Sequence, residues 1–149
     1  MFRSYPMLLV FLILVGAVAL SGVHFQPGLW YAGLNKPFWT PPDWLFPPVW
    51  SLLYLMMAVA GWLIYAGTDV RLKWLWAIQL VLNALWSWLF FGLHRTDLGL
   101  VDISALLIAI AAIVSIARSR QRAVAWLMTP YMVWVAYAST LNAAIHVLN

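Results

Sequence analysis

Hydrophobic residues in this chain fall in long runs broken by short polar connections. They show neither the strict alternation of a half-buried strand nor the single apolar stripe of a surface helix. Five such runs occupy residues 6–25, 44–68, 74–93, 98–117 and 123–148. The second carries no charge, the fourth is interrupted by Asp102 alone, and the fifth has His146 near its end. Each provides the ~20 residues that a helix needs to cross a hydrocarbon core of about 30 Å. A lone strand would leave its backbone groups unsatisfied in lipid, whereas a helix satisfies its own. The pattern predicts an all-α integral membrane protein: one domain over residues 1–149, a bundle of five transmembrane helices.

Composition agrees with this. Of 149 residues, 66% are hydrophobic and 8% charged; a soluble domain carries about 25% charged residues. With no cysteine there is no disulfide, thiolate metal site or cysteine nucleophile. At the N-terminus, Arg3, an apolar run and Ala17-Val18-Ala19 imitate a cleavable secretory signal. The run of about 20 residues exceeds the ~7–15 of a signal core, so a retained helix is expected. Basic residues divide between the two sides: Arg3, Arg71, Lys73, Arg118, Arg120 and Arg122 on one, Lys36 and Arg95 on the other. That split puts the N-terminus in the cytoplasm and the C-terminus outside. The net charge of +4 therefore reports orientation, and no nucleic-acid partner is expected. The run Arg118, Arg120, Arg122 also suits anionic lipid headgroups.

The one long connection, residues 26–43, interleaves Trp30, Tyr31, Phe38 and Trp39 with Pro37, Pro41 and Pro42, and leads into Trp44. Two readings fit it. Stiffened by its prolines, it folds back over the helix ends as a lid. Alternatively its rings form an interfacial belt, since Trp and Tyr collect at headgroup depth.

Helix geometry groups the remaining candidates by face. Gln79, Asn83, Trp86 and Phe90 share one stripe of the third run; Tyr131, Trp134, Ala138, Leu141 and Asn142 share one in the fifth. Trp50 and Tyr54 stand one turn apart near the loop end of the second. Large rings mixed with a few amides are the make-up of a small-molecule cavity. They suit helix packing as well, because Asn and Gln hydrogen-bond across membrane helices, and Ala105, Ala109 and Ala112 look like a small-residue seam. Trp86 and Trp134 lie well inside their runs, where an indole N–H needs a partner, which favours a polar or hydrated interior.

Asp102 is either a functional intramembrane carboxylate or a partner of Arg95 near the helix end. His24 and His146 sit near run ends without carboxylates beside them, so no metal site is expected. Pro130 should kink the last helix. Trp62, Trp74, Trp76 and Trp126 read as interfacial rings on the arginine side. There is no Ser/His/Asp set, carboxylate pair, Gly-rich phosphate loop or HExxH. Any chemistry must come from the bound molecule.

The segments Trp30-Tyr31, Leu34-Asn35-Lys36-Pro37-Phe38-Trp39-Thr40-Pro41-Pro42 and Pro48-Val49-Trp50, with Leu53-Tyr54, resemble the tryptophan-rich sensory protein family. Its mitochondrial members are called translocator protein or peripheral-type benzodiazepine receptor. The likeness continues through Gln79-Leu80, Asn83-Ala84-Leu85-Trp86, Phe90-Phe91-Gly92, Leu100-Val101-Asp102 and Pro130-Tyr131 to Asn142. The resemblance implies a five-helix bundle, commonly a homodimer, in the role of a receptor or sensor. It implies binding of porphyrins (protoporphyrin IX or haem) and hydrophobic drug-like molecules under the first loop, with no intrinsic cofactor. Carried over position by position, the pocket residues are Tyr31, Pro41, Trp50, Tyr54, Asn83, Trp86, Phe90, Trp134, Ala138 and Leu141. The family also offers light- and oxygen-dependent porphyrin degradation, with Trp50 and Trp134 as the catalytic pair, or transport of tetrapyrroles or lipids. The resemblance is to bacterial members and implies a place in the cell membrane, with the outer membrane as the second location known among relatives. One departure stands out. Leu141-Asn142 is followed by Ala143, Ala144, Ile145 and His146, without the Tyr and basic residue of the sterol pattern in animal members. High-affinity sterol binding is therefore not expected.

Overall fold

A computed structural model describes residues 5–149. Arg3, which enters the charge count above, lies outside the described residues. Among these residues five helices are long and apolar enough to cross a membrane, and no strand occurs. Helix α1 spans Tyr5–His24. The connection after it holds a one-turn helix, α2 (Leu29–Ala32), and a 3-10 turn, Asp43–Leu45, that runs into α3 (Phe46–Ala66). Helix α4 (Val70–Ser87) continues through a π-helical turn, Trp88–Gly92, and α5 (Thr96–Arg120) and α6 (Arg122–Leu148) follow. Pro130 lies inside α6, which runs on past it.

The long helices close into a ring: α1 packs on α3, α3 on α6, α6 on α5, α5 on α4, and α4 back on α1. Up-and-down connections put the 26–43 loop and Arg95 at one end of the bundle and Arg71, Lys73, Arg118, Arg120 and Arg122 at the other. α1 is apolar on all sides. Only Phe11 and Val15, one turn apart, are buried, while Leu9, Ile13 and Leu20 face outward. That outward aliphatic surface is what hydrocarbon covers in a membrane-spanning helix. α3 instead turns Ala58, Ala60 and Gly61 inward. A Cβ on Gly61 would collide with the Trp76 indole, so the glycine makes room for that ring.

Trp76 is thus a core residue, 2% exposed, whose Nε1 donates to the Met57 carbonyl at 3.1 Å. The interfacial reading fails for it, because the space on α3 is invisible from its own helix. Trp74 and Trp126 do face outward. The alanine seam is split as well: Ala109 is buried in the bundle, Ala112 half-buried and Ala105 exposed.

At the arginine end the helices overrun the apolar segments. α4 starts at Val70 and α5 reaches Arg120, leaving Gln121 alone before α6. Apolar runs mark what lies in hydrocarbon, while long basic side chains let a helix continue to the water. Asp69 caps α4, accepting the Arg71 backbone N–H at 3.0 Å and pairing with Arg71 at 3.1 Å and Arg120 at 3.5 Å. Hydrogen bonds from Arg71 hold the Asp69 carboxyl below its usual range.

Candidate functional site

The loop end of the bundle is hollow. A cavity of about 470 Å³ lies between the end of α1, the first half of α3 and the end of α4. Small-molecule sites run from roughly 300 to 1,000 Å³. α3 contributes Phe46, Pro47, Trp50, Ser51 and Tyr54; α4 and its π turn contribute Asn83, Trp86, Ser87 and Phe91. Trp50 and Tyr54 are one helical turn apart, and Asn83, Ser87 and Phe91 follow at the same step, so each wall is a single helix face. α1 adds Ala19, Gly22 and Val23. Gly22 leaves space there, the nearest atom to a Cβ at that position being Ser87 Oγ at 3.9 Å.

The loop closes the cavity with Phe25, Gln26, Pro27, Tyr31 and Asp43. Tyr31 is buried with its ring edge-on to Phe91 at 5.6 Å, and Trp30 stacks flat on His94 at 4.3 Å. His94 has the left-handed backbone (φ 55°) that ends the π turn. Burial first, and the Asp43 carboxylate second, push the Tyr31 phenol above its ordinary 10.0. Further along, the Tyr137 hydroxyl donates to the Trp39 carbonyl. Asn149 accepts from the Asn35 backbone N–H at 2.9 Å and donates to the Asn35 carbonyl at 3.0 Å. Phe38 and Trp44, by contrast, point outward at 96% and 71% exposure. The loop therefore combines both readings: Trp30 and Tyr31 cap the bundle, while Phe38 and Trp44 face the surroundings.

Two amides order the interior. Tyr54 donates to Asn83 Oδ1 at 2.9 Å, and Asn83 Nδ2 donates to the Tyr131 hydroxyl at 2.8 Å. Trp86 Nε1 donates to Asn142 Oδ1 at 3.1 Å, and Asn142 Nδ2 to the Thr96 carbonyl at 2.8 Å. Asn83 is at once a cavity residue and a cross-helix tie. Asp102 does not pair with Arg95, which binds Asp97 instead at 2.6 Å. Asp102 Oδ2, both amide atoms of Gln79 and the Trp134 indole nitrogen are buried without a protein partner. His146 Nδ1 meets Thr96 Oγ1 at 2.9 Å.

Of the residues carried over from the family, Tyr31, Trp50, Tyr54, Asn83 and Trp86 line the cavity. The others do not reach its surface. Phe90 is stacked behind Trp86 at 5.3 Å, and Trp134 stands behind Trp50 with centroids 6.5 Å apart. Ala138 and Leu141 are buried on α6, and Pro41 is half-buried in the loop. The sequence pattern did not single out the α1 residues, Phe25, Phe46, Pro47, Ser51, Ser87 or Phe91, and it gave Gln26, Pro27 and Asp43 only as part of the lid segment. Ser87 and Phe91 were recoverable, since both continue the Asn83 stripe at helical spacing.

Fold and site define a multi-pass membrane protein with an aromatic cavity capped by its first loop. The family match is equally direct: the TspO/MBR family model fits residues 7–148, and the chain belongs to that family. It is similar to the tryptophan-rich protein TspO of Archaeoglobus fulgidus, 41% identical over 144 residues and covering 93% of this chain and 94% of that one. The tryptophan-rich protein TspO of Chlorobaculum tepidum is 42% identical over 144 residues, covering 89% of each. The human translocator protein is 36% identical over 126 residues, covering 80% of this chain and 75% of its own.

Proposed function

We propose that this protein is a membrane receptor or sensor for flat hydrophobic molecules of the porphyrin type, and for apolar drug-like compounds, held in the loop-end cavity. The observation that carries the reading is a cavity walled by Trp50 and Tyr54 on α3 and Trp86 on α4, with Tyr31 closing it. A planar ring system stacks on such walls, and Ser51, Asn83 and Ser87 supply the few polar groups that orient a ligand. Relatives named as sensory and translocator proteins support a receptor role. By the split of basic residues the N-terminus is cytoplasmic, in a bacterial cell membrane, and a homodimer is the assembly to look for.

The test is a tryptophan-fluorescence titration with protoporphyrin IX in lipid nanodiscs, using wild type, Trp50→Phe and Trp86→Phe. Saturable quenching weakened several-fold in both variants supports the cavity. Titrations identical to wild type overturn it.

The Trp50–Trp134 pair supports a second reading, light-driven oxidative breakdown of the bound porphyrin. The two rings stand edge to face with planes at 89°, so Trp134 backs the wall ring directly. The excited ligand can pass an electron to oxygen, leaving a ligand radical cation whose hole Trp50 and Trp134 share reversibly. The superoxide formed then adds to that ligand radical, so that oxygen is the oxidant and the tryptophans are restored. This reading requires a defined product over several turnovers, slowed by Trp134→Phe without loss of binding. Bleaching equal to that of free porphyrin in detergent removes it.

A further inference from the structure

The cavity wall carries one full charge, and it is negative. Asp43, at the start of the 3-10 turn, lines the cavity together with Tyr31, Phe46 and Pro47. No lysine or arginine lines it, and among the described residues no cation forms an ion pair with Asp43. Lys36 is on the same loop, with its ammonium 4.6 Å from the centre of the Tyr31 ring. Its three N–H donors are already engaged, by the carbonyls of Tyr31 at 2.7 Å, Leu34 at 3.3 Å and Ala32 at 3.4 Å. Arg95 is bound by Asp97 through two hydrogen bonds, at 2.8 and 2.6 Å. The lysine and the arginine at this end are thus occupied elsewhere, no histidine lines the cavity, and an anionic ligand has no counter-charge on the wall.

Resting on the ligand-binding reading above, we propose that the cavity takes flat aromatic molecules that present an amine or another cationic or hydrogen-bond-donating group to Asp43. It discriminates against carboxylates at that end. A carboxylate-bearing tetrapyrrole binds with its acid groups turned away from Asp43, and its ester binds better than the free acid. Asp43 also has a structural use, because an acid in the first turn of a helix complements the helix dipole. Charge preference is therefore read from matched ligands on the wild-type protein before any variant is compared.

The experiment uses three pyrene probes of nearly equal size, pyrenemethylamine, pyrenemethanol and pyrenecarboxylate. Each is titrated by tryptophan-to-pyrene energy transfer into protein in phosphatidylcholine nanodiscs, with empty discs subtracted. The expected order is amine, alcohol, carboxylate, with about tenfold between the ends, the scale of a charge contact in partly hydrated surroundings. Asp43→Asn flattens the order and Asp43→Lys reverses it. Equal or tighter binding of the carboxylate by wild type overturns the proposal, as does a preference that survives Asp43→Asn. Saturable binding of pyrenemethanol with no charge preference removes this inference alone. Failure of all three probes to saturate removes the ligand-binding reading with it.

Discussion

The indole N–H of Trp86 donates to the side-chain oxygen of Asn142 at 3.1 Å, joining a cavity wall on α4 to α6. The same amide donates onward to the Thr96 carbonyl at the start of α5, so one side chain holds three helices in register. Asn142→Leu leaves the indole and the carbonyl unpaired in an apolar interior. The expected loss is about 1–2 kcal/mol, since unpaired buried groups cost more than cross-helix bonds usually contribute. Thermal unfolding in detergent checks it, and a midpoint equal to wild type contradicts the assignment.

Gly61 and Gly22 should respond in opposite ways. A Cβ at Gly61 meets the Trp76 indole and, at 2.9 Å, Phe11. Gly61→Ala is expected to destabilise by about 1–3 kcal/mol, the range of overpacked cores. Gly22→Ala meets nothing closer than 3.9 Å, and its methyl group projects into the cavity. It should melt like wild type while weakening the binding of a cavity ligand. Paired melting and titration of the two variants separate packing from ligand space.

The Asp69 cluster makes the fold sensitive to acid. Its carboxyl is depressed by Arg71 below the ordinary 3.8. A depressed acid stabilises the folded state above its unfolded value, and that stabilisation disappears as pH falls through the folded value. Melting midpoints followed from neutral pH downward should therefore drop below pH ~4, less steeply in Asp69→Asn. High salt should shrink the difference, since Arg71 and Arg120 are exposed. An acid limb unchanged by the substitution counts against this cluster.

The loop is latched at two distant points, Tyr137 to the Trp39 carbonyl and Asn149 to Asn35. Tyr137→Phe removes the first without touching the cavity wall. Backbone amides at Thr40 and Asn35 should then exchange hydrogen faster, and bound ligand should dissociate faster, with the helices equally protected. Hydrogen exchange followed by mass spectrometry gives the answer. Unchanged protection of the loop would mean that this hydroxyl is not a latch.

The helical spans were legible because lipid forces each crossing segment to satisfy its own backbone, whatever its neighbours. The inner face of α4 was legible for a related reason: helical steps put Gln79, Asn83 and Trp86 on one side, and Gln79 is fully buried. Depth is what periodicity does not encode. Phe90 shares the α4 face of the wall residues Asn83 and Trp86, and Trp134 shares its face with Tyr131 on α6, a helix that adds nothing to the wall. Only the packing of the helices puts both rings one layer behind. α1 is apolar all round, so nothing in its sequence separates Gly22 on the wall from Leu20 on the lipid side. Trp76 looked interfacial by position until Gly61, on another helix, gave it a place inside.

The most direct test of the cavity is a structure of the protein in lipid nanodiscs saturated with a porphyrin. A planar ligand is expected between Trp50 and Trp86, beneath Tyr31 and beside Gly22. A second groove runs along the outside of α1 and α4, lined by Leu14, Val81, Leu85 and Trp88. A porphyrin seated there, with Trp50 and Trp86 untouched, would rule out the loop-end cavity as the binding site.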